Sequence, residues 1–271
     1  MKRLAIYIFL AVCLVLMLFF GLKSSRQAKV YEETSKKISK QLNIERLATF
    51  KIKEFAEKIS LGWYENKTKK EFETLKHRQS FAKKKSWKYF FCFVTVLVLL
   101  LSSWFFTSLR VFTFSLSLAS GMTLFFGLTI PLLMVTIHQE IEYLGDVILS
   151  YESKSILGTI VKLLKHGNIA VATAISLFSV LVPLLKIVAI FFIAIFTENR
   201  FAHRMVKVFK SIGKWSMADV FVVALFLVYL TVDKSGSSHA ETEIGLYFFL
   251  LYVIISILLT ISADKMLHRI D

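Results

Sequence analysis

Apolar and polar positions alternate along the chain in blocks rather than residue by residue. Leu4 to Leu22 is almost unbroken apolar sequence, Ser24 to Ser86 is polar, and Lys88 to Ile137 is apolar for about fifty residues with one charge, Arg110. His138 to Asn168 is mixed, and three further apolar runs follow at Ile169–Phe196, Trp215–Val232 and Ile244–Ser262. At ~1.5 Å per residue, one ~30 Å hydrocarbon crossing takes about 20 residues. The fifty-residue run is too long for one crossing and is read as two, Tyr89–Leu109 and Phe112–Ile137, joined by a short turn at Arg110. The pattern therefore predicts an all-α polytopic membrane protein with about six transmembrane helices.

Between the spans the spacing changes. Ile38, Leu42, Leu47, Phe50, Phe55 and Ile59 recur near helical intervals, which predicts an amphipathic helix interrupted around Leu61-Gly62-Trp63 and resuming through Phe72, Leu75 and Phe81. Val147 to Tyr151 can form a short strand. Ser155 can cap a helix running through Leu164, which Gly167-Asn168 would end.

With 56% hydrophobic residues and 26 Phe, the composition excludes a soluble fold. Met1-Lys2-Arg3 before Leu4–Leu22 resembles the start of a secretory signal, but no small-residue cleavage motif follows the run, so an uncleaved signal anchor is expected. Cys13 and Cys92 both lie in apolar runs and the six His are scattered, so neither a metal site nor redox chemistry is expected and no cofactor is called for.

Charge supplies the orientation. Thr197 to Lys214 carries five Lys and Arg against Glu198, whereas Asp233 to Glu243 is acidic. The positive-inside bias puts the first loop in the cytoplasm and, by parity, both termini with it. The same counting places His138–Asn168 and Lys23–Lys88 outside, although Lys23–Lys88 holds 19 Lys and Arg against 8 Asp and Glu, +11 of the chain's +15. Loops of this length are translocated largely regardless of charge. If Tyr89–Leu109 lay along the interface instead of crossing, the basic block would be inside. Beside membrane spans, anionic headgroups are a better partner for it than nucleic acid.

Two charges inside the spans need an explanation. Lys186 lies about ten residues from the cytoplasmic end of its run, ~15 Å deep and too far in to snorkel easily. Asp219 lies four residues into the next, antiparallel run, where the lysine could meet it, and pairing would lessen a cost of ~2.5 to 3.5 kcal/mol for each lone charge at a helix centre. Ser179 stands seven residues before Lys186 and Ser216 three before Asp219, each near the face of its charge, and Ser256 and Thr260 approach the cytoplasmic end of the last span at depths comparable to Asp219. Ser216 and Asp219 also have the spacing of a capping box, and a lysine–carboxylate pair can be purely structural.

The segment from about Phe112 to Ser262 resembles one four-span module of the paraquat-inducible protein A family. The resemblance rests on Gly127-Leu-Thr-Ile-Pro131, Ser155-Ile-Leu-Gly158 with Leu163 and Gly167, Ser179-Val-Leu-Val-Pro183-Leu-Leu-Lys186, and Lys214-Trp215-Ser-Met-Ala-Asp-Val-Phe221. It implies that the last four spans form one module with a small periplasmic cap, in a bacterial inner membrane. It further implies a non-enzymatic subunit of an envelope lipid transport system, working on membrane lipids with a periplasmic MCE-domain partner. The polar network it implies consists of Ser179, Lys186, Ser216, Asp219 and, more loosely, Thr260, with Pro131, Pro183 and Trp215 as structural motif residues. Better-known members have two modules and cytoplasmic Cys-x-x-Cys zinc ribbons. This chain has one module and no such cysteines, which leaves open pairing with a second copy as a homo-oligomer. The division expected is 1–22 signal anchor, 23–88 basic helical insert, 89–110 second span and 111–271 module. The competing function is a non-transporting anchor that recruits a partner through the insert.

Overall fold

The computed structural model describes residues 2–41, 67–141, 145–195 and 238–268. Helix α1 (Lys2–Gln41) and helix α2 (Lys67–Ser102) are followed by α3 (Leu109–Thr129), strands β1 (Leu133–Ile141) and β2 (Gly145–Lys154), and helix α4 (Ile156–Lys165). Helix α5 (Ile169–Ser176) passes through a π turn at Leu177–Leu181 into α6 (Val182–Ile195), and β3 (Ser238–Thr242) leads into α7 (Ile244–His268). Among the described residues five helical stretches are long and apolar enough to cross a membrane: Leu4–Ser39, Glu71–Phe105, Leu109–Thr129, Ile169–Ile195 and Ile244–Met266. The chain is thus a helical, polytopic membrane protein. The expected span at Trp215–Val232 lies outside the described residues.

The long apolar run divides, but not where hydropathy put the divisions. A 3-10 turn at Ser103–Phe105 breaks the helix before Arg110, and α3 stops at Thr129 instead of continuing to Ile137. Pro131 explains the stop: the residue before a proline is driven out of the helical region, and Ile130 is extended at φ −81, ψ 144. The remaining Leu133–Ile141, rich in β-branched residues, pairs antiparallel with β2 and β3 in a sheet of order β2-β1-β3. The strand expected at Val147–Tyr151 is the middle of β2. Ser155 caps α4 as expected, its hydroxyl accepting from the Gly158 amide at 3.1 Å, and Gly167 takes the left-handed conformation (φ 78) just past the helix end.

The helices α1 and α2 run antiparallel and continue as helix across the edge of the apolar sequence. At that edge Ser24 and Ser86 exchange hydrogen bonds, each hydroxyl donating to the other's carbonyl at 3.0 and 3.1 Å. Farther out, Gln79 donates to Ser35 Oγ at 2.7 Å, and Tyr31, Ala82 and Met134 pack where the hairpin meets the sheet. Lys83 reaches Glu241 at 3.0 Å. The polar half of the hairpin and the sheet therefore lie at the same end of the molecule. At the opposite end Thr113 of α3 and Ser262 of α7 share a hydrogen bond of 2.7 Å, and Lys265 covers the Trp104 ring at 5.2 Å.

One core crosses the boundary between the N-terminal pair and the family-like segment. Phe93 of α2 packs edge-on against Phe126 of α3 and Phe248 of α7, with ring centroids 6.2 and 5.2 Å away. Lipid is as apolar as these side chains, so shape fit and not water exclusion holds the helices together. Residue 110 bounds the resemblance, and the packing continues through it.

Shared placement of insert and cap predicts shared accessibility. In intact cells, Lys76→Cys and Lys165→Cys should both react with a membrane-impermeant maleimide, while Lys265→Cys should react only after the membrane is opened. Protection of Lys76→Cys beside labelling of Lys165→Cys would mean that α1 and α2 do not cross together.

Candidate functional site

Lys186 stands on α6, nine residues from its end at Ile195, so its Cα lies ~14 Å from that end and near the middle of a crossing. It is 5% exposed. Its ammonium donates to Ser256 Oγ of α7 at 2.7 Å, and Ser256 is itself buried. A charge-assisted bond of this kind is about twice as strong as a neutral one and offsets part of the cost of placing an ammonium there. The sequence set Ser256 level with Asp219, which lies outside the described residues.

Ser179 is also buried, and it sits in the π turn on the approach to Lys186. The turn has a local cause. Pro183 has no amide hydrogen to bond within the helix, and its ring would clash with the carbonyl four residues earlier, that of Ser179. Widening the helix by one residue relieves this, and such bulges recur at functional sites. Thr260 is one turn beyond Ser256 and donates to the Ser256 carbonyl at 2.8 Å. That is a bond back to its own helix and does not reach the Ser256 hydroxyl. Trp215, Ser216 and Asp219 lie outside the described residues, and Pro131 ends α3 at the sheet.

The described structure adds a row of hydroxyls that the sequence reading passed over. On α3, Thr113, Ser117, Ser120 and Thr123 are all 0% exposed and follow helical spacing. Thr113 bonds to Ser262, Ser117 donates to the Phe114 carbonyl and Thr123 to the Ala119 carbonyl. Ser120 Oγ has no hydrogen-bond partner among the described residues. Its neighbour Gly121 faces Ile187, with Cγ2 of that side chain 3.9 Å from where a Cβ would stand. The unpartnered hydroxyl therefore lies level with Lys186. The α3 row turns toward α7 at Thr113, and α7 in turn meets the lysine helix at Ser256.

A second buried polar group stands outside the spans. Glu243 precedes α7, is buried, and leaves Oε1 without a hydrogen-bond partner. Burial, set against the attraction of Lys83 and reinforced by Glu241, pushes its carboxyl up to about 7, with the Tyr31 hydroxyl also beside it. This carboxyl lies where α1, α2, β3 and α7 meet.

A family model described as Paraquat-inducible protein A matches residues 111–268. Intermembrane transport protein PqiA of Escherichia coli (strain K12) is 29% identical over 128 residues, which make up 45% of this chain and 30% of that protein. Proteins of the same name from Escherichia coli O6:H1 and Shigella flexneri match to the same extent. The matched stretch thus spans less than a third of the length of these curated relatives, and no solved structure matches the chain.

The Glu243 carboxyl predicts a pH dependence with a definite sign. An unfolded carboxyl loses its proton near 4.5 and the folded one near about 7. Between those values the folded state binds more protons, so stability falls as pH rises through the window. Glu243→Gln should flatten that fall and raise the thermal midpoint above pH 7. An unchanged pH profile in the variant would remove Glu243 as its source.

Proposed function

The chain belongs to the paraquat-inducible protein A family, and from that premise we propose that it is the membrane subunit of an envelope lipid transport system, which loads or moves lipid past the polar site around Lys186. The observation that carries this reading is the buried Lys186–Ser256 hydrogen bond in the middle of the apolar layer. An intramembrane ammonium is costly to keep, and a lipid headgroup is an anionic, hydrogen-bonding cargo that such a group can receive. Asp219, Ser216 and Ser179 complete the proposed network, with Asp219 as the counter-charge and Thr260 as a looser member.

In this reading the protein resides in the bacterial inner membrane with both termini cytoplasmic. The basic insert and the sheet-bearing cap then face the periplasm, where an MCE-domain partner would accept or deliver lipid. A single module would hold the whole proposed network within one chain, and a second copy would supply the module count of longer relatives. The activity is transport and not catalysis. Binding and release at Lys186 need only a change in its pairing, through protonation of Asp219 or displacement of that carboxylate by a headgroup.

The decisive test is a double replacement. Lys186→Met or Asp219→Asn alone should lower stability by ~3 to 5 kcal/mol, because each leaves a buried charge unpaired. The double variant should recover stability, read as thermal midpoint and membrane abundance, yet remain inactive in a lipid-transfer or envelope-integrity assay. A stable and fully active double variant would reduce the pair to packing. It would then favour the anchor reading, in which the basic insert carries the function.

A further inference from the structure

Helix α2 carries an organised outward face that the lipid-transport reading does not use. Lys84, Lys88, Phe91 and Thr95 follow one another at intervals of four, three and four residues, which aligns them along one side of the helix, and all four are exposed. With Trp87 and Cys92 they line an open groove of about 610 Å3, within the range of small-molecule sites. Lys83 forms one edge of the groove but is engaged by Glu241 and lies over the Tyr31 ring. Among the described residues neither Lys84 nor Lys88 has an ion-pair partner.

The position of the groove relative to the bilayer decides its occupant. The Ser24–Ser86 bonds mark where α1 and α2 leave the apolar layer. Trp87 packs edge-on against Tyr247 of α7, with centroids 4.8 Å apart, and such rings gather at the headgroup level. The two lysines therefore sit among headgroups, while Phe91, Cys92 and Thr95 descend into hydrocarbon. From Lys88 to Thr95 the helix rises ~10 Å, within the ~15 Å hydrocarbon depth of one leaflet. An acidic protein segment would match the lysines but not the apolar floor. A zwitterionic lipid would match the floor but leave two ammonium groups without a net counter-charge.

We propose that this face of α2 binds an anionic phospholipid from the leaflet on the cap side, with its phosphate between Lys84 and Lys88 and one acyl chain laid over Phe91, Cys92 and Thr95. The site lies outside the family-matched residues 111–268, so it belongs to this chain's own N-terminal pair. It fixes the hairpin at the depth where Lys83 and Tyr31 meet the sheet, and it does not depend on transport at Lys186.

The test uses the full-length chain in neutral detergent, titrated with dioleoylphosphatidylglycerol or dioleoylphosphatidylcholine and read by native mass spectrometry. The wild type should prefer phosphatidylglycerol by at least about tenfold, the scale expected for two lysines facing one anionic headgroup. Lys84→Gln/Lys88→Gln should abolish the preference without changing the thermal midpoint, since both side chains are exposed. Thr95→Trp, which fills the groove at constant charge, should weaken phosphatidylglycerol binding severalfold. Phosphatidylglycerol brominated on its acyl chains should also quench wild-type tryptophan fluorescence more than that of Trp87→Phe. Equal binding of the two lipids, or a preference that survives in the double-lysine variant, would overturn the headgroup assignment. Unchanged binding in Thr95→Trp together with equal quenching in Trp87→Phe would overturn the acyl groove.

Discussion

The close pairing of α3 and α7 is the constraint on which the remaining contacts depend. Gly127 lets the helices approach until a Cβ at that position would stand 2.9 Å from the Phe249 backbone. At one end the pair is closed by the sheet: the Glu243 amide donates to the Leu132 carbonyl and the Gly245 amide to the Pro131 carbonyl. At the other end Thr113 and Ser262 close it. In lipid the hydrophobic effect gives little drive to association, so small residues and hydrogen bonds must set the geometry. A side chain at Gly127 would force the helices apart. Such a shift would disturb the aromatic contacts of Phe126 and Phe248 on one flank and the Lys186–Ser256 bond on the other.

Those two flanks have different chemistry because the same two helices present different faces to them. Phe126 and Phe248 turn toward α2 and receive Phe93. Ser256 turns toward α6 and receives Lys186. The N-terminal pair therefore buttresses the back of the helices that form the polar site, even though it lies outside the family-matched segment. The hydroxyls on α3 suit this division of faces, since Ser and Thr can bond back to their own helix and remain buried without a partner on another.

The sequence made the membrane class, most of the span positions and the capped helix at Ser155 legible, because hydropathy and cap chemistry are local. It misplaced the end of α3 because an apolar run reads alike as helix or strand, and Leu133–Ile141 is apolar enough to pass for either. Pro131 was the available signal for the boundary. The helical continuity of α1 past Leu22 was likewise hidden by the change in composition, although no helix breaker stands there. At the candidate site, Lys186 stood out by its charge inside a span, whereas its bond to Ser256 is tertiary and was not legible. Thr113, Ser117, Ser120 and Thr123 were not singled out, because hydroxyls in a span are common and only tertiary contact shows which are buried together.

The basic block presents an apparent conflict between charge and topology that the packing reduces to one question. Residues at both ends of the block's described portion, Tyr31 on α1 and Ala82 and Lys83 on α2, meet the sheet through Met134 and Glu241. The insert therefore cannot be assigned to one side of the membrane while the cap is assigned to the other. Charge counting favours the cytoplasm for the insert, and the basic loop at Thr197–Lys214 favours the opposite side for the cap. A short loop between closely spaced spans is governed by its lysines and arginines, whereas a segment as long as Lys23–Lys88 is translocated largely regardless of them. On the orientation proposed above, the short loop carries the greater weight and the insert follows the cap. Its lysines are then free of the retention role that positive charge has on the cytoplasmic side, and among the described residues one of them, Lys83, is used to tie the hairpin to Glu241.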